Sequence, residues 1–349
     1  MIVTRDELEN LIVTKLNKAG LKKEHANDVA KTLSFADSRG IHSHGAIRTE
    51  YYSERIAKGG INTTPKFSFN QTGESVGVFN GDNGMGHVAA KKSMDKAINV
   101  AKKTGVAVIG VKNISHSGTL SFYTQHAAEE NLIGISTCQA DPMAVPFGGS
   151  EPYYGTNPLS FSAPALNKEM IVFDMATTVK AWGKILEARS NEENIPNSWA
   201  VDRNGSPTTD PFKVRGLSPM SGAKGYGLAM MVDILSGILL GLPFGNRVSA
   251  LYGNLSEGRD LGQLHIVINP EYFTDLERFK ENVSITMSDL NKMKPAKGFE
   301  QVFYPGQRSM KKENESEKKG INLNEAVYDY LKSEVVHNNK YSNQTPFGD

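Results

Sequence analysis

Residues 84–113 read GMGHVAAKKSMDKAINVAKKTGVAVIGVKN. A strand-like run, SVGVF at 75–79, precedes them. Within the stretch, 88–105 is patterned as a helix that stops on Gly105, and VAVIGV at 106–111 is patterned as a buried strand. This is a β-α-β unit. Gly84, Gly86 and Ala89 match G-x-G-x-x-A between a strand and a helix, the context in which a Rossmann loop holds a pyrophosphate. That fold also needs an acid ~20 residues on, at the end of the second strand. The chain offers Lys112 there and no acid. The loop therefore reads as a tight turn with close helix packing, not as a cofactor site.

The same rhythm continues outward. LSFYTQHAAEEN (120–131) predicts a helix and LIGISTC (132–138) a buried strand, with further strands at 170–176 and 264–269. The middle of the chain is α/β. Before it, 4–17 and 23–38 read as helices, the first opened by a Thr4–Glu7 capping box. A third helix follows Gly45 and ends at Gly59-Gly60. After it come a helix over 273–293, a solvated mobile run at 311–320, and an amphipathic helix over 323–335. The expected organisation is a helical lobe at 1–62 contributing to a substrate site, an α/β core at 63–310, and a C-terminal helix and tail at 311–349 packing on the core.

Lys plus Arg number 39 and Asp plus Glu 38 in 349 residues, with no basic or acidic block, which argues against nucleic acid or an anionic membrane surface as partner. A single cysteine, Cys138, rules out an internal disulfide and fits a reducing cytoplasm. MIVTRDELEN has no apolar run to serve as a signal peptide. YGLAMMVDILSGILLGLPF (226–244) approaches the length of a membrane span, but Asp233, Gly237, Gly241 and Pro243 interrupt it, and it reads as a buried core helix.

Candidate chemistry gathers in loops. His116, in KNISHSGTL, follows a buried strand, where α/β proteins place reacting groups. An isolated histidine there equally caps a helix start. Asp141 follows the next strand. If strands 106–111 and 132–138 are parallel neighbours, it emerges beside His116 and can hold the imidazole's tautomer; otherwise it opens the turn before Pro142. In GIHSHGAIRTEYYSERI (40–56), a helix beginning near His44 puts His44, Arg48 and Tyr52 on one face, an arrangement suited to an anionic substrate. A metal would need His42, His44 and a third ligand that no nearby spacing supplies. FDMATTVKAWGK (173–184) and SGAKGYG (221–227) each leave small residues at a helix start, the second with Lys224, which suits a phosphate or a plain connector. No G-x-S-x-G elbow or Cys-x-x-Cys pair is present.

ADSRGIHSHG (36–45), NISHSG (113–118), DPMAVPFGG (141–149), GTNPLSFSAP (155–164), FDMATT (173–178), SWAVDRNGSPTTDP (198–211) and KGYGLAMMVDILSG (224–237) together resemble the malate/L-lactate dehydrogenase type 2 family, in order along the chain. RGIHSHGAIRTEYYSERIAKGG, MATTVKAWGK, GLPFGNRVSALY and GRDLGQLHIVINP resemble the branch that oxidises (S)-ureidoglycolate to oxalurate with NAD in allantoin breakdown. The resemblance implies a homodimer, and a nicotinamide-binding fold that is not Rossmann, with a mixed central sheet. It implies His116 as general base supported by Asp141. Arg48 would anchor the substrate carboxylate with His44 and Tyr52 alongside, and Arg259 is a second anchor. Ala140, Asp174, Met175, Ala176, Lys224, Gly306, Gln307 and Arg308 would line the cofactor, with no metal. Ala140 stands where relatives often have Ser, and Arg308 where an acid can stand, so acceptance of NADP is an expectation to test. Competing expectations are malate, lactate or another 2-hydroxy acid as substrate, a metal-dependent hydrolase using His42, His44 and His116, and a non-catalytic binding module.

Overall fold

The computed structural model describes residues 1–344 and 347; residues 345, 346, 348 and 349, the end of the expected tail, lie outside the described residues. The N-terminus carries a short strand, β1 (Ile2–Val3), and helices α1 (Arg5–Lys18), α2 (Lys23–Ser38) and α3 (Arg48–Ala57). The Thr4 hydroxyl accepts the Glu7 N–H at 3.1 Å, so the capping residue acts as its sequence position requires. Leu8, Ile12 and Leu16 of α1 repeat at helical spacing and bury against Val29 and Leu33 of α2 and Tyr51 and Tyr52 of α3.

The middle of the chain runs β2 (Ser68–Gln71), β3 (Val76–Asn80), α4 (Gly86–Thr104), β4 (Val106–Ile114), α5 (Ser121–Glu129), β5 (Ile133–Cys138), β6 (Leu159–Pro164), β7 (Met170–Met175), α6 (Trp182–Ser190), β8 (Ala200–Val201), β9 (Gly216–Leu217), α7 (Ala223–Ser236) and β10 (Leu261–Ile268). Then come α8 (Leu276–Lys292), α9 (Gln307–Lys319), β11 (Ile321–Asn322) and α10 (Glu325–Lys332). Seven strands form a mixed sheet in the order β2-β3-β4-β10-β5-β6-β7. Only β3 and β4 pair in parallel; the other pairs are antiparallel.

The decisive feature is β10. It lies between β4 and β5 and runs against both. The strands at 106–111 and 132–138 therefore point the same way but are not neighbours. Their carboxyl ends share one sheet edge, and the segment that feeds β10 enters between them at that edge. Three loops thus converge where the sequence led us to expect two.

The glycines of residues 84–113 serve packing. A Cβ on Gly86 would lie 2.1 Å from the Ser115 carbonyl oxygen and 2.6 Å from that of His116. The Gly86 N–H instead donates to the Ser115 hydroxyl at 2.9 Å. A side-chain-free first turn lets α4 touch the loop that follows β4.

Several segments differ from expectation. The strands β2 and β6 were not legible, being short and polar or broken by Ser. Most of the run at 311–320 is helical in α9, where Glu313 pairs with Arg5 at 2.9 Å and Arg39 at 2.6 Å, and Gly320 ends the helix. The described C-terminal residues pack on the N-terminal helices and also on the α/β core, where Phe347 meets Trp182 with ring centroids 5.0 Å apart. Leu323 and Leu331 join the α1–α3 apolar cluster, Lys15 donates to the Ser333 carbonyl at 2.6 Å, and Glu54 accepts the Lys340 and Tyr341 N–H groups at 3.0 and 3.2 Å. The apolar segment 226–244 is buried on one side only. Ala223–Leu240 is long and apolar enough to cross a membrane by composition. Yet Ala229, Val232 and Ser236 are buried, and Asp233 accepts from Gln139 at 3.3 Å and from the Gly245 N–H at 3.0 Å. Its other face leaves Met231, Ile234, Ile238 and Leu239 exposed.

Candidate active site

His116 sits in the loop between β4 and α5. Asn113 and Gly118 take positive φ values of 55° and 76° there, folding the loop back on itself. The Asp174 carboxylate, at the end of β7, accepts from the Thr119 hydroxyl at 2.7 Å and the Ser121 N–H at 2.8 Å. It therefore fixes the His116 loop and the start of α5, so part of its hydrogen-bonding capacity is already committed.

Tyr52, on α3, brings its hydroxyl to 2.7 Å from His116 Nδ1. The Gly118 N–H also approaches Nδ1, at 3.3 Å. His44 stacks on His116 with ring centroids 5.6 Å apart. One helical turn before Tyr52, Arg48 donates from Nε to the Ser43 carbonyl at 2.7 Å and from Nη1 to the Tyr252 hydroxyl at 2.8 Å. Arg259, almost fully buried just before β10, donates to the Ser249 carbonyl and lies 3.6 Å from Asp141.

The electrostatics follow from this crowding. Burial first, then the neighbouring His44, Arg48, His87 and Arg259, pulls His116 well below its ordinary value of 6.5. Burial and Arg48 bring His44 down to about 4. Burial pushes the Tyr52 phenol up. The site at neutral pH is a neutral imidazole and a protonated phenol within the field of two guanidinium cations. Such a group can take a proton from a hydroxyl on an anionic molecule.

The expected residues are placed as follows. His116, Tyr52, His44 and Arg48 come together. The one-helix reading of His44 is corrected: α3 begins at Arg48, and His42–His44 forms a separate 3-10 turn. The Asp37 carboxylate causes the break by accepting the Ala46 N–H at 2.6 Å, and a Cβ on Gly45 would collide with it. The expected adjacency of the strands before His116 and Asp141 is corrected: β10 lies between them, Asp141 lies 3.6 Å from Arg259, and the Tyr52 hydroxyl lies 2.7 Å from His116 Nδ1. His42 turns to Asp37, 2.8 Å away, and takes no part in a histidine cluster. Among the described residues no three His, Cys, Asp or Glu are grouped to hold a metal ion. Sequence reasoning missed Tyr252, Ser249 and His87. Only His87 carried a signal, its position directly after the second glycine of GMGH.

The cofactor candidates lie after β5, at the end of β7, in α7 and at the start of α9. The Met220 N–H donates to the Thr177 carbonyl at 2.9 Å, which ties the segment after β7 to the start of α7 and the exposed Lys224. The Val172 N–H donates to the Pro305 carbonyl at 3.2 Å, so 305–308 runs along the free edge of β7. Gly306, at φ 90°, packs against Val172, where a Cβ would meet the Val172 carbonyl oxygen at 2.7 Å. Gly306 and Arg308 border a mostly apolar cavity of about 610 Å³, and the Arg308 guanidinium stacks on Phe303 at 4.5 Å. Ala140 is pressed against Gly155, where a Cβ would come within 2.2 Å of the Ala140 carbonyl. Its N–H donates to Asn157 Oδ1 at 3.2 Å. Met175 ends β7, Ala176 follows it, and Gln307 opens α9. Of the cofactor candidates, Gly306 and Arg308 line the apolar cavity, and Arg308 is the cation at its edge.

A mixed α/β sheet that brings an imidazole, a phenol and two guanidinium groups together suits a small anionic molecule. A family description of malate/L-lactate dehydrogenase matches residues 3–332. The chain belongs to that family. It is 54% identical over 347 residues, covering 99% of each chain, to a ureidoglycolate dehydrogenase (NAD(+)) of Escherichia coli O157:H7. It is 36% identical over 334 residues, 95% of this chain and 96% of the other, to a malate/(S)-sulfolactate dehydrogenase of Methanothermus fervidus. The solved sulfolactate dehydrogenase of Methanocaldococcus jannaschii superposes with a TM-score of 0.89 at 36% identity, covering 95% of this chain and 96% of that one.

Proposed function

We propose that this chain oxidises (S)-ureidoglycolate to oxalurate with NAD, in allantoin breakdown. The observation that carries the chemistry is the neutral His116 imidazole set within the field of Arg48 and Arg259. The substrate rests on the whole-length likeness to the ureidoglycolate dehydrogenase.

Arg48 and Arg259 hold the substrate carboxylate, with His44 and Tyr52 along the cleft wall. Asp141 keeps Arg259 in place. His116 takes the hydroxyl proton on Nε2, since Nδ1 is occupied. When bound, NAD accepts the hydride that leaves the same carbon. Ala140, Asp174, Met175, Ala176, Lys224, Gly306, Gln307 and Arg308 hold the cofactor in a non-Rossmann manner. A strand order with a single parallel pair supports that reading. The N-terminal helical lobe at 1–62 closes the cleft over the α/β core at 63–310, and the described part of the C-terminal segment, 311–344, braces the lobe. The direct test is product mass: incubation with NAD yields a product lighter than ureidoglycolate by two hydrogens, and an unchanged mass overturns the assignment.

Arg308 stands at the cavity edge as a cation, so the 2′-phosphate of NADP finds a partner there. Measurable turnover with NADP is expected beside the NAD reaction, reduced further by Arg308→Glu. Steady-state rates with both cofactors check this, and turnover confined to NAD contradicts it.

The protein works as a cytoplasmic homodimer in this reading. Met231, Ile234, Ile238 and Leu239 form an exposed apolar face that a second copy would cover. Sedimentation is expected to give twice the chain mass, falling to one for Ile234→Glu with Leu239→Glu. A wild-type monomer contradicts it.

A further inference from the structure

His87 lies where α4 meets the His116 loop, and neither the proton transfer nor the anion clamp uses it. It is fully buried. Its Nε2 is 3.5 Å from the Tyr52 hydroxyl, at the outer limit of a hydrogen bond, and its ring meets that of Tyr52 edge-on at 5.1 Å. Its Nδ1 has no hydrogen-bond partner. A buried imidazole with an idle nitrogen is costly, and a phenyl ring would fill the same space without that cost. One glycine makes room for it: a Cβ on Gly118 would come within 3.0 Å of His87 Nε2.

The need for a second histidine follows from hydrogen-bond counting. His116 can take a substrate proton on Nε2 only while Nδ1 carries the ring hydrogen. Nδ1 is then a donor and requires an acceptor. The Gly118 N–H at 3.3 Å is itself a donor aimed at Nδ1 and favours the other tautomer, so the Nδ1–H form stands only if a stronger acceptor holds that hydrogen. The Tyr52 oxygen at 2.7 Å can do so, provided that its own hydrogen points elsewhere. The other group within reach of that hydroxyl is His87 Nε2. Without it, the phenol hydrogen turns to His116 Nδ1, the ring hydrogen moves to Nε2, and the imidazole can no longer act as base at that atom.

We propose that His87 is a positioning residue that sets the tautomer of His116, through a chain in which His116 Nδ1–H donates to the Tyr52 oxygen and the Tyr52 O–H donates to His87 Nε2. The inference rests on the dehydrogenase reading above. No net proton moves along the chain, and His87 stays neutral. Burial, with His44 nearby, brings it down to about 3, which keeps it an acceptor. The chain also gives GMGH a function unrelated to phosphate binding: Gly86 lets the first turn of α4, which carries His87, touch the His116 loop.

The test joins spectroscopy to kinetics. In the wild-type protein, nitrogen-15 NMR of the histidine rings is expected to show His116 with its hydrogen on Nδ1; a hydrogen on Nε2 overturns the proposal without any variant. His87→Phe is expected to move that hydrogen to Nε2 and lower kcat by about 10–10³-fold, as wrong-tautomer bases do, with KM for the hydroxy acid within about 2-fold. His87→Gln keeps an acceptor oxygen and is expected to recover most of the rate. In a Tyr52→Phe background His87→Phe is expected to cost little more, because the chain is already broken. An unchanged kcat in His87→Phe, or a full penalty retained beside Tyr52→Phe, overturns it. Wild-type turnover of hydroxy acid with NAD tests the dehydrogenase reading separately, so the two can fail independently.

Discussion

His116→Ala is expected to lower kcat for hydroxy-acid oxidation by about 10²–10⁴-fold, the usual contribution of a positioned base. KM should change little, since the carboxylate is held by the guanidiniums and not by the imidazole. The fold should survive, because His116 is half-buried in a loop whose shape comes from Asp174, Thr119 and Ser121. Thermal unfolding and single-turnover rates measured together separate these effects. An unfolding temperature near wild type with a collapsed rate is the expected pair, and a near-wild-type rate would remove His116 from the chemistry. The pH profile gives a second check. Burial and four neighbouring cationic or ionisable groups hold His116 well below 6.5 in the free protein, and its base form is the deprotonated one. The acid limb of kcat/KM, which reports the free enzyme, should therefore fall below pH 6.5. A limb centred at or above 7 would contradict the crowding described here.

Arg48→Leu is the second large effect, and it should have the opposite kinetic signature. The guanidinium is oriented by two neutral oxygens, the Ser43 carbonyl and the Tyr252 hydroxyl. No carboxylate neutralises it in the described contacts, so its charge is available to a ligand. Losing a charge-assisted anchor of this kind costs about 2–5 kcal/mol, or roughly 30-fold to several thousand-fold in kcat/KM. Most of it should appear in KM. Arg48→Lys should restore only part of the loss, because an ammonium cannot reproduce the planar fork. Steady-state kinetics over a wide substrate range reads both terms. A loss confined to kcat would assign Arg48 to transition-state stabilisation and not to anchoring.

Much of this site was readable from residue order. The buried strand before His116 and the four-residue spacing of Arg48 and Tyr52 follow from local periodicity, which needs no knowledge of distant segments. What local pattern cannot supply is the insertion of β10 between β4 and β5. That pairing joins residues more than a hundred positions apart, and it decides that Asp141 meets Arg259. The His44 turn failed for a similar reason, since the break is made by an Asp37 carboxylate from the preceding helix. The charged run of α9 is solvated as its sequence suggests, but its helical form and the pairing of Glu313 with Arg5 and Arg39, at the other end of the chain, are not local signals. His87 was overlooked because its neighbours matched a motif for a different purpose. In each case the missing information was a long-range contact.

The most direct test of the central claim is the absorbance of reduced nicotinamide when purified protein meets NAD and freshly prepared ureidoglycolate, with malate and lactate run in parallel. A rise with ureidoglycolate, and little with malate or lactate, is the predicted result. A rise with malate or lactate instead would keep the chemistry of His116 and Arg48 and discard the substrate. No rise with any of the three, with NAD or NADP, would contradict the dehydrogenase account itself.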